Sequence, residues 1–151
     1  MNKFTRLLMA AAFMASVASP TLADLAKGEA AFKVQDFATA KVEFEALPNS
    51  GSALYLLGLI HLNGMGIERD VKYGRELVLK SADIGYIPAQ MSMGSAYKSG
   101  YELDKDLALA HYYYSLAGRY SSYNQEKADE LAEQMSPQQL AKSTELFSKW
   151  K

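Results

Sequence analysis

The sequence predicts an all-α protein built as an α-solenoid, a stack of antiparallel helix pairs. Three observations point there. Twenty-two alanines and nineteen leucines stand against thirteen valines, isoleucines and threonines, a balance that favours helices over sheets. Small residues recur at one spacing: Ala53 and Ala89, Gly58 and Gly94, Gly64 and Gly100, and Asp70 and Asp106 are each 36 residues apart. Self-similarity at a period of a few tens of residues marks a repeat architecture. The glycines and aspartates of that pattern also fall where helices stop and start. With 151 residues and 49% apolar content, the chain has enough for one packed domain.

Residues 1–23 read as a secretory signal peptide. Lys3 and Arg6 precede an uncharged run from Leu7 to Ala18, and Thr21-Leu22-Ala23 supplies the small residues of a cleavage site. Twelve residues fall short of the roughly 20 that span a bilayer as a helix. Cleavage before Asp24 is therefore expected, with a periplasmic or secreted mature protein and no membrane span after signal cleavage.

Residues 24–52 suggest a short helix pair ending near Pro48, with Asp36 capping its second helix. Gly28, Ala40 and Phe44 have the spacing of the small and aromatic positions of a tetratricopeptide repeat, so this is read as an N-terminal tetratricopeptide-like pair. Residues 53–88 form the first full repeat. Leu54, Leu57, Gly58 and His61 share one face of a helix over 53–63, and Gly58 admits a close partner helix. Gly64 ends that helix, Asp70 caps a second over roughly 71–84, and Gly85 closes it. Residues 89–123 repeat the scheme, with Pro88 suiting a first helical turn, helices over 89–98 and 107–117, and Asp106 as cap. Glu102 stands where the first loop has Gly66, which predicts a second loop of different shape. Residues 124–151 read as C-terminal capping helices, one over 126–134 and one opened by the capping box Ser136-Pro137-Gln138-Gln139.

These residues resemble the Sel-1-like repeat, a relative of the tetratricopeptide repeat. The first copy carries the resemblance in Ala53, Leu57, Gly58, Gly64, Gly66, Asp70, Ala82 and Gly85, the second in Ala89, Gly94, Gly100, Asp106, Ala110 and Ala117. It departs at Gly74, where an alanine is usual, at Glu102, and at Met93, where leucine is expected. The resemblance implies an interaction scaffold, because such repeats mostly hold other proteins together.

Chemistry is sparse. A net charge of −1 argues against nucleic acid as partner, and the absence of cysteine removes thiol nucleophiles, disulfides and thiolate metal sites. His61 and His111 occupy different repeat positions and lack the spacing of a metal site, so no metal and no cofactor are expected. His61 reads as a packed aromatic substitute, and both aspartates as caps. There is no nucleophile elbow or phosphate loop, and the chain is expected not to be an enzyme.

The function expected is a periplasmic or secreted adaptor for a protein or peptide partner in the cell envelope. By analogy with tetratricopeptide grooves, the first helices form its concave side. Tyr55, Leu59, Leu62 and Asn63, with Met91, Ser95 and Lys98 of the next repeat, then face the partner. The alternative is a carbohydrate- or cell-wall-binding accessory protein using exposed tyrosines. Tyr112-Tyr113-Tyr114 motivate it: Tyr113 points to the core and its neighbours about 100° to either side, where one could line a groove.

Overall fold

The computed structural model describes residues 22–150, so the signal-peptide reading falls, but for Leu22 and Ala23, outside the described residues. Among these, the chain forms eight helices and no strand: α1 (Leu22–Lys33), α2 (Phe37–Glu45), α3 (Gly51–Asn63), α4 (Val71–Asp83), α5 (Ile87–Ser99), α6 (Leu107–Gly118), α7 (Ser122–Ala132) and α8 (Pro137–Lys149). They pack as pairs, α1 on α2, α3 on α4 and α5 on α6, with α2–α3 and α4–α5 contacts joining one pair to the next.

Local chemistry sets the helix ends. Asp36 accepts from the Thr39 amide at 3.1 Å, Asp70 from Tyr73 at 2.9 Å, and Asp106 from Ala108 and Leu109 at 2.9 and 3.0 Å. Each satisfies an amide that has no intrahelical partner. Ser136 and Gln139 form the reciprocal capping box. Helix α3 begins two residues earlier than expected because Ser50 caps it, accepting from Ala53. Helix α7 begins at Ser122 rather than Glu126.

The pairs close on their small residues. A methyl group built on Gly58 would lie 2.7 Å from Val78 Cγ2 and 2.9 Å from the Gly74 carbonyl oxygen. One built on Gly74 would meet the Gly58 carbonyl oxygen and the Leu62 amide nitrogen, both at 2.8 Å. The two glycines thus face each other where α3 and α4 cross, which explains the departure at Gly74: alanine there would push the backbones apart. In the next pair the same contact is made by Gly94 and Tyr114, 36 residues on from Gly58 and Val78. A methyl at Gly94 would sit 3.0 Å from the tyrosine ring atoms.

The expectation of a differently shaped second loop is corrected. Gly64 and Gly66 have φ of 64° and 68°, while Gly100 and Glu102 have 77° and 59°. Glu102 adopts the left-handed conformation that its glycine counterpart adopts. The hydrogen bonds repeat as well: Met65 N–H donates to Ile60 O and Asp70 N–H to His61 O, as Tyr101 does to Ala96 and Asp106 to Tyr97. The Glu102 carboxylate pairs with Arg69, and its carbonyl accepts from Arg75, both in the preceding repeat. Those contacts hold a conformation that costs a side-chain-bearing residue about 1–2 kcal/mol.

Helix α6 is apolar nearly all round, and such a helix is buried on every side. Helices α5, α7 and α8 all pack on it. Tyr112, Tyr113 and Tyr114 are consequently 9%, 6% and 8% exposed. Helix α7 covers α6 in the manner of a further first helix. Helix α8 does not stack beyond it but returns along α6, sending Leu146 and Trp150 to the core of Val78, Ala82, Met93 and Leu116.

Candidate functional site

The first helices carry the site. Along α3, Tyr55, Leu59, Leu62 and Asn63 fall at intervals of four, seven and eight residues from the first, one stripe of the helix surface. Met91, Ser95 and Ser99 form the matching stripe of α5. Along the α5 stripe runs an open trough of about 870 Å³. Tyr55 comes from α3, Pro88, Met91 and Ser95 from α5, Tyr101 from the second loop and Tyr123 from α7. Tyr114 reaches it from α6, its ring packed against Gly94. No charged side chain lines the trough.

Deeper in the same face lies a smaller cavity of about 180 Å³. Leu59, Leu62, Val78, Met93, Ala96 and Leu103 make its apolar wall, and Asn63, Arg69, Arg75 and Glu102 its polar side. Ser92, Ala96 and Tyr101 line both spaces, so the cavity adjoins the trough. Of the residues expected to face a partner, Tyr55, Met91 and Ser95 line the trough, and Leu59, Leu62 and Asn63 line the cavity. Lys98, which stands 36 residues on from Leu62, lines neither, while Ser99 lines the trough.

The electrostatics differ between the two spaces. Burial pushes the Tyr55 hydroxyl above its ordinary range, with a hydrogen bond to Ser92 opposing it. Burial likewise raises Tyr97, behind the cavity, with Arg75 pulling it down. Arg69 is committed twice, donating to Leu62 O at 2.7 Å and pairing with the Glu102 carboxylate. Arg75 is half-buried and donates only to a neutral acceptor, the Glu102 carbonyl. Among the described residues no carboxylate forms an ion pair with it. Sequence reading missed Arg69, Arg75, Ser92 and Tyr101. The available signal was the departure from the repeat at Glu102, a charged residue where the first loop has Gly66.

The other candidates resolve into structure. The His61 ring sits edge-on to Tyr73 at 4.7 Å, with neither ring nitrogen hydrogen-bonded, and burial holds its pKa below the ordinary value. It packs as an aromatic. His111 Nδ1 lies 2.7 Å from Ser143 Oγ, fastening α6 to α8, and burial lowers its pKa too. Ser143 is 1% exposed, and its hydroxyl is taken up by this contact between helices. No group of three His, Asp or Glu side chains converges on a metal position among the described residues. None of their helices is long and apolar enough to cross a membrane. The tyrosine face is corrected in part: Tyr112 and Tyr113 are core, Tyr114 is buried with one edge in the trough, and Tyr101 and Tyr123 are the exposed rings there.

Comparison with known proteins agrees with this architecture. No curated protein matches the chain in sequence. Three solved chains match in structure. One is a protective antigen present in uropathogenic Escherichia coli strains and displaying an SLR fold, superposing with a TM-score of 0.74 at 20% identity. The match covers 85% of this chain and 29% of that one, so this chain spans under a third of the antigen's length. A family model, the Sel1 repeat, matches residues 51–86 and 87–119. Repeats of this family are a non-enzymatic scaffold type and generally mediate protein–protein interaction. The helix pairs α3–α4 and α5–α6 are thus two tandem Sel1 repeats within an SLR-like helical fold.

Proposed function

We propose that this protein is an adaptor of the bacterial cell envelope, periplasmic or secreted, which captures a peptide segment of a partner protein on the first helices of its repeats. One observation carries the reading: the uncharged trough lined from α3, α5 and α7, beside a smaller cavity with an aliphatic wall. Clustered apolar and aromatic surface of this kind marks a contact site. Tyrosines and serines offer ring area and hydroxyl donors without the cost of stripping water from a charge. The compartment rests on the basic start, short apolar core and small-residue end of residues 1–23.

The test places a photo-crosslinking amino acid at the exposed Ser95. Identified adducts are then remade with purified components. A partner crosslinked at Ser95, and lost when Tyr55→Ser and Met91→Ser are combined, supports the reading. Survival of capture in that double variant overturns it. Intact mass of protein recovered from the envelope should begin at Asp24, and a species retaining Met1 would sink the compartment. The exposed Tyr101 and Tyr123 favour the carbohydrate reading instead. It predicts saturable binding of purified glycan, abolished by Tyr101→Ala with Tyr123→Ala.

A further inference from the structure

The cavity beside the trough has a chemical polarity that the trough lacks. Its wall is aliphatic, and about 180 Å³ is below the roughly 300–1,000 Å³ of pockets that take drug-sized ligands. The space suits one side chain. At its mouth stands Arg75, half-buried, hydrogen-bonded to a carbonyl and matched by no carboxylate among the described residues. Its neighbour Arg69 already holds the Glu102 carboxylate. Only one of the guanidinium's five donors is used by the fold, so the others are free to take an anion. A ligand that fills the cavity and brings an anion to Arg75 meets both conditions at once.

We infer that the cavity binds the free carboxyl terminus of the partner peptide, with its last apolar side chain inside and its α-carboxylate on Arg75. The inference rests on the trough being the peptide groove and gives that groove a direction. The choice of a chain end over an internal acidic residue follows from geometry. Arg75 lines the cavity itself, so anion and apolar group must lie within a few ångströms of each other. A terminal residue carries both on one Cα. In an extended peptide, an acidic residue next to an apolar one points to the opposite side. Planar guanidinium–carboxylate pairing also takes two parallel hydrogen bonds, which the free donors of Arg75 allow. The remaining peptide then runs out past Ser92 and Tyr101 into the trough.

Two hexapeptides test this: N-acetyl-Gly-Ser-Gly-Ser-Pro-Leu with a free carboxylate, and the same peptide as its C-terminal amide. Both are titrated into the purified protein while the amide signals of Ser92 and Ala96 are followed by NMR. The acid should bind at least about tenfold more tightly than the amide, roughly the difference expected of one charge-assisted contact. That ratio should fall towards one in R75Q, which keeps a donor for the Glu102 carbonyl but loses the charge. Equal binding of acid and amide to the unmodified protein overturns the inference, as does no saturable binding of the acid. Neither result depends on the variant folding. Both differ from failure of the groove reading, which is judged by capture through Ser95.

Discussion

A single methyl group added at Gly58 measures how tightly the first Sel1 repeat is closed. By helix propensity alone, Gly58→Ala should stabilise α3 by about 1 kcal/mol. The structure opposes this. The new Cβ would lie 2.7 Å from Val78 Cγ2 and 2.9 Å from the Gly74 carbonyl oxygen, both short of normal contact. Val78 is 1% exposed and cannot swing aside, and the carbonyl belongs to the α4 backbone. Forcing atoms into a filled interface costs about 1–3 kcal/mol, so Gly58→Ala should lose roughly 1 kcal/mol net and Gly58→Leu the whole range or more. Urea unfolding followed by circular dichroism reads this as a lower midpoint at unchanged slope. The mutual contact adds a sharper condition. A methyl on Gly74 would strike the Gly58 carbonyl at 2.8 Å, so once either substitution separates the helices the second has less to disrupt. Gly58→Ala and Gly74→Ala together should cost less than the sum of the two alone. A raised midpoint for Gly58→Ala, or strict additivity of the pair, would refute the crossing at these glycines.

Other perturbations have equally definite outcomes. Asn124 is 1% exposed with neither side-chain polar atom hydrogen-bonded, so Asn124→Leu should raise the unfolding free energy in urea by about 1–3 kcal/mol; no gain would show that its amide is satisfied. Glu102→Gly removes about 1–2 kcal/mol of left-handed strain and an exposed pair with Arg69 worth about 0.2–1 kcal/mol. It should therefore stabilise, more clearly in high salt, and a loss of stability at high salt would contradict this. Burial lowers the folded-state pKa of His61 and His111, so the unfolded chain binds more protons as pH falls through the ordinary histidine range near 6.5. The melting temperature should be highest above neutrality and drop on acidification until pH passes below the folded-state values. His111→Gln should flatten part of that slope, and an identical slope in the variant would exclude His111 as a source. A chelator should leave the melting temperature unchanged, since no metal-binding cluster exists among the described residues; a fall reversed by adding metal would show otherwise.

How far the sequence revealed the molecule follows from where each feature's cause lies. The repeat was legible because its causes are local: an aspartate that caps, a glycine that turns, and a small residue at each crossing recur every 36 residues. Ser50 was missed because a serine signals a cap less distinctly than an aspartate set in a repeat, and the early start of α7 because Ser121 makes no side-chain capping bond at all. Gly74 looked like an irregularity, and only the position of Gly58 opposite it shows why alanine is excluded. Glu102 looked like a broken loop, because a residue's own identity argues for its ordinary conformation, while the hydrogen bonds that overrule it come from another repeat. The site was half legible for the same reason. Helical periodicity selects the α3 and α5 stripes, but no one-dimensional pattern says that Arg75 on α4 ends beside a cavity walled by α3 and α5, or that it lacks a carboxylate there. The tyrosine triplet shows the converse error. Three successive helical residues usually include an exposed one, yet α6 is enclosed by three neighbours, and α8 turning back upon it is a tertiary event. Repetition in sequence thus identifies what each unit does for its own closure. The features particular to this groove arise where one unit departs from the repeat and another compensates, as Glu102 does with Arg69 and Arg75. Those departures are therefore the places to look for specificity.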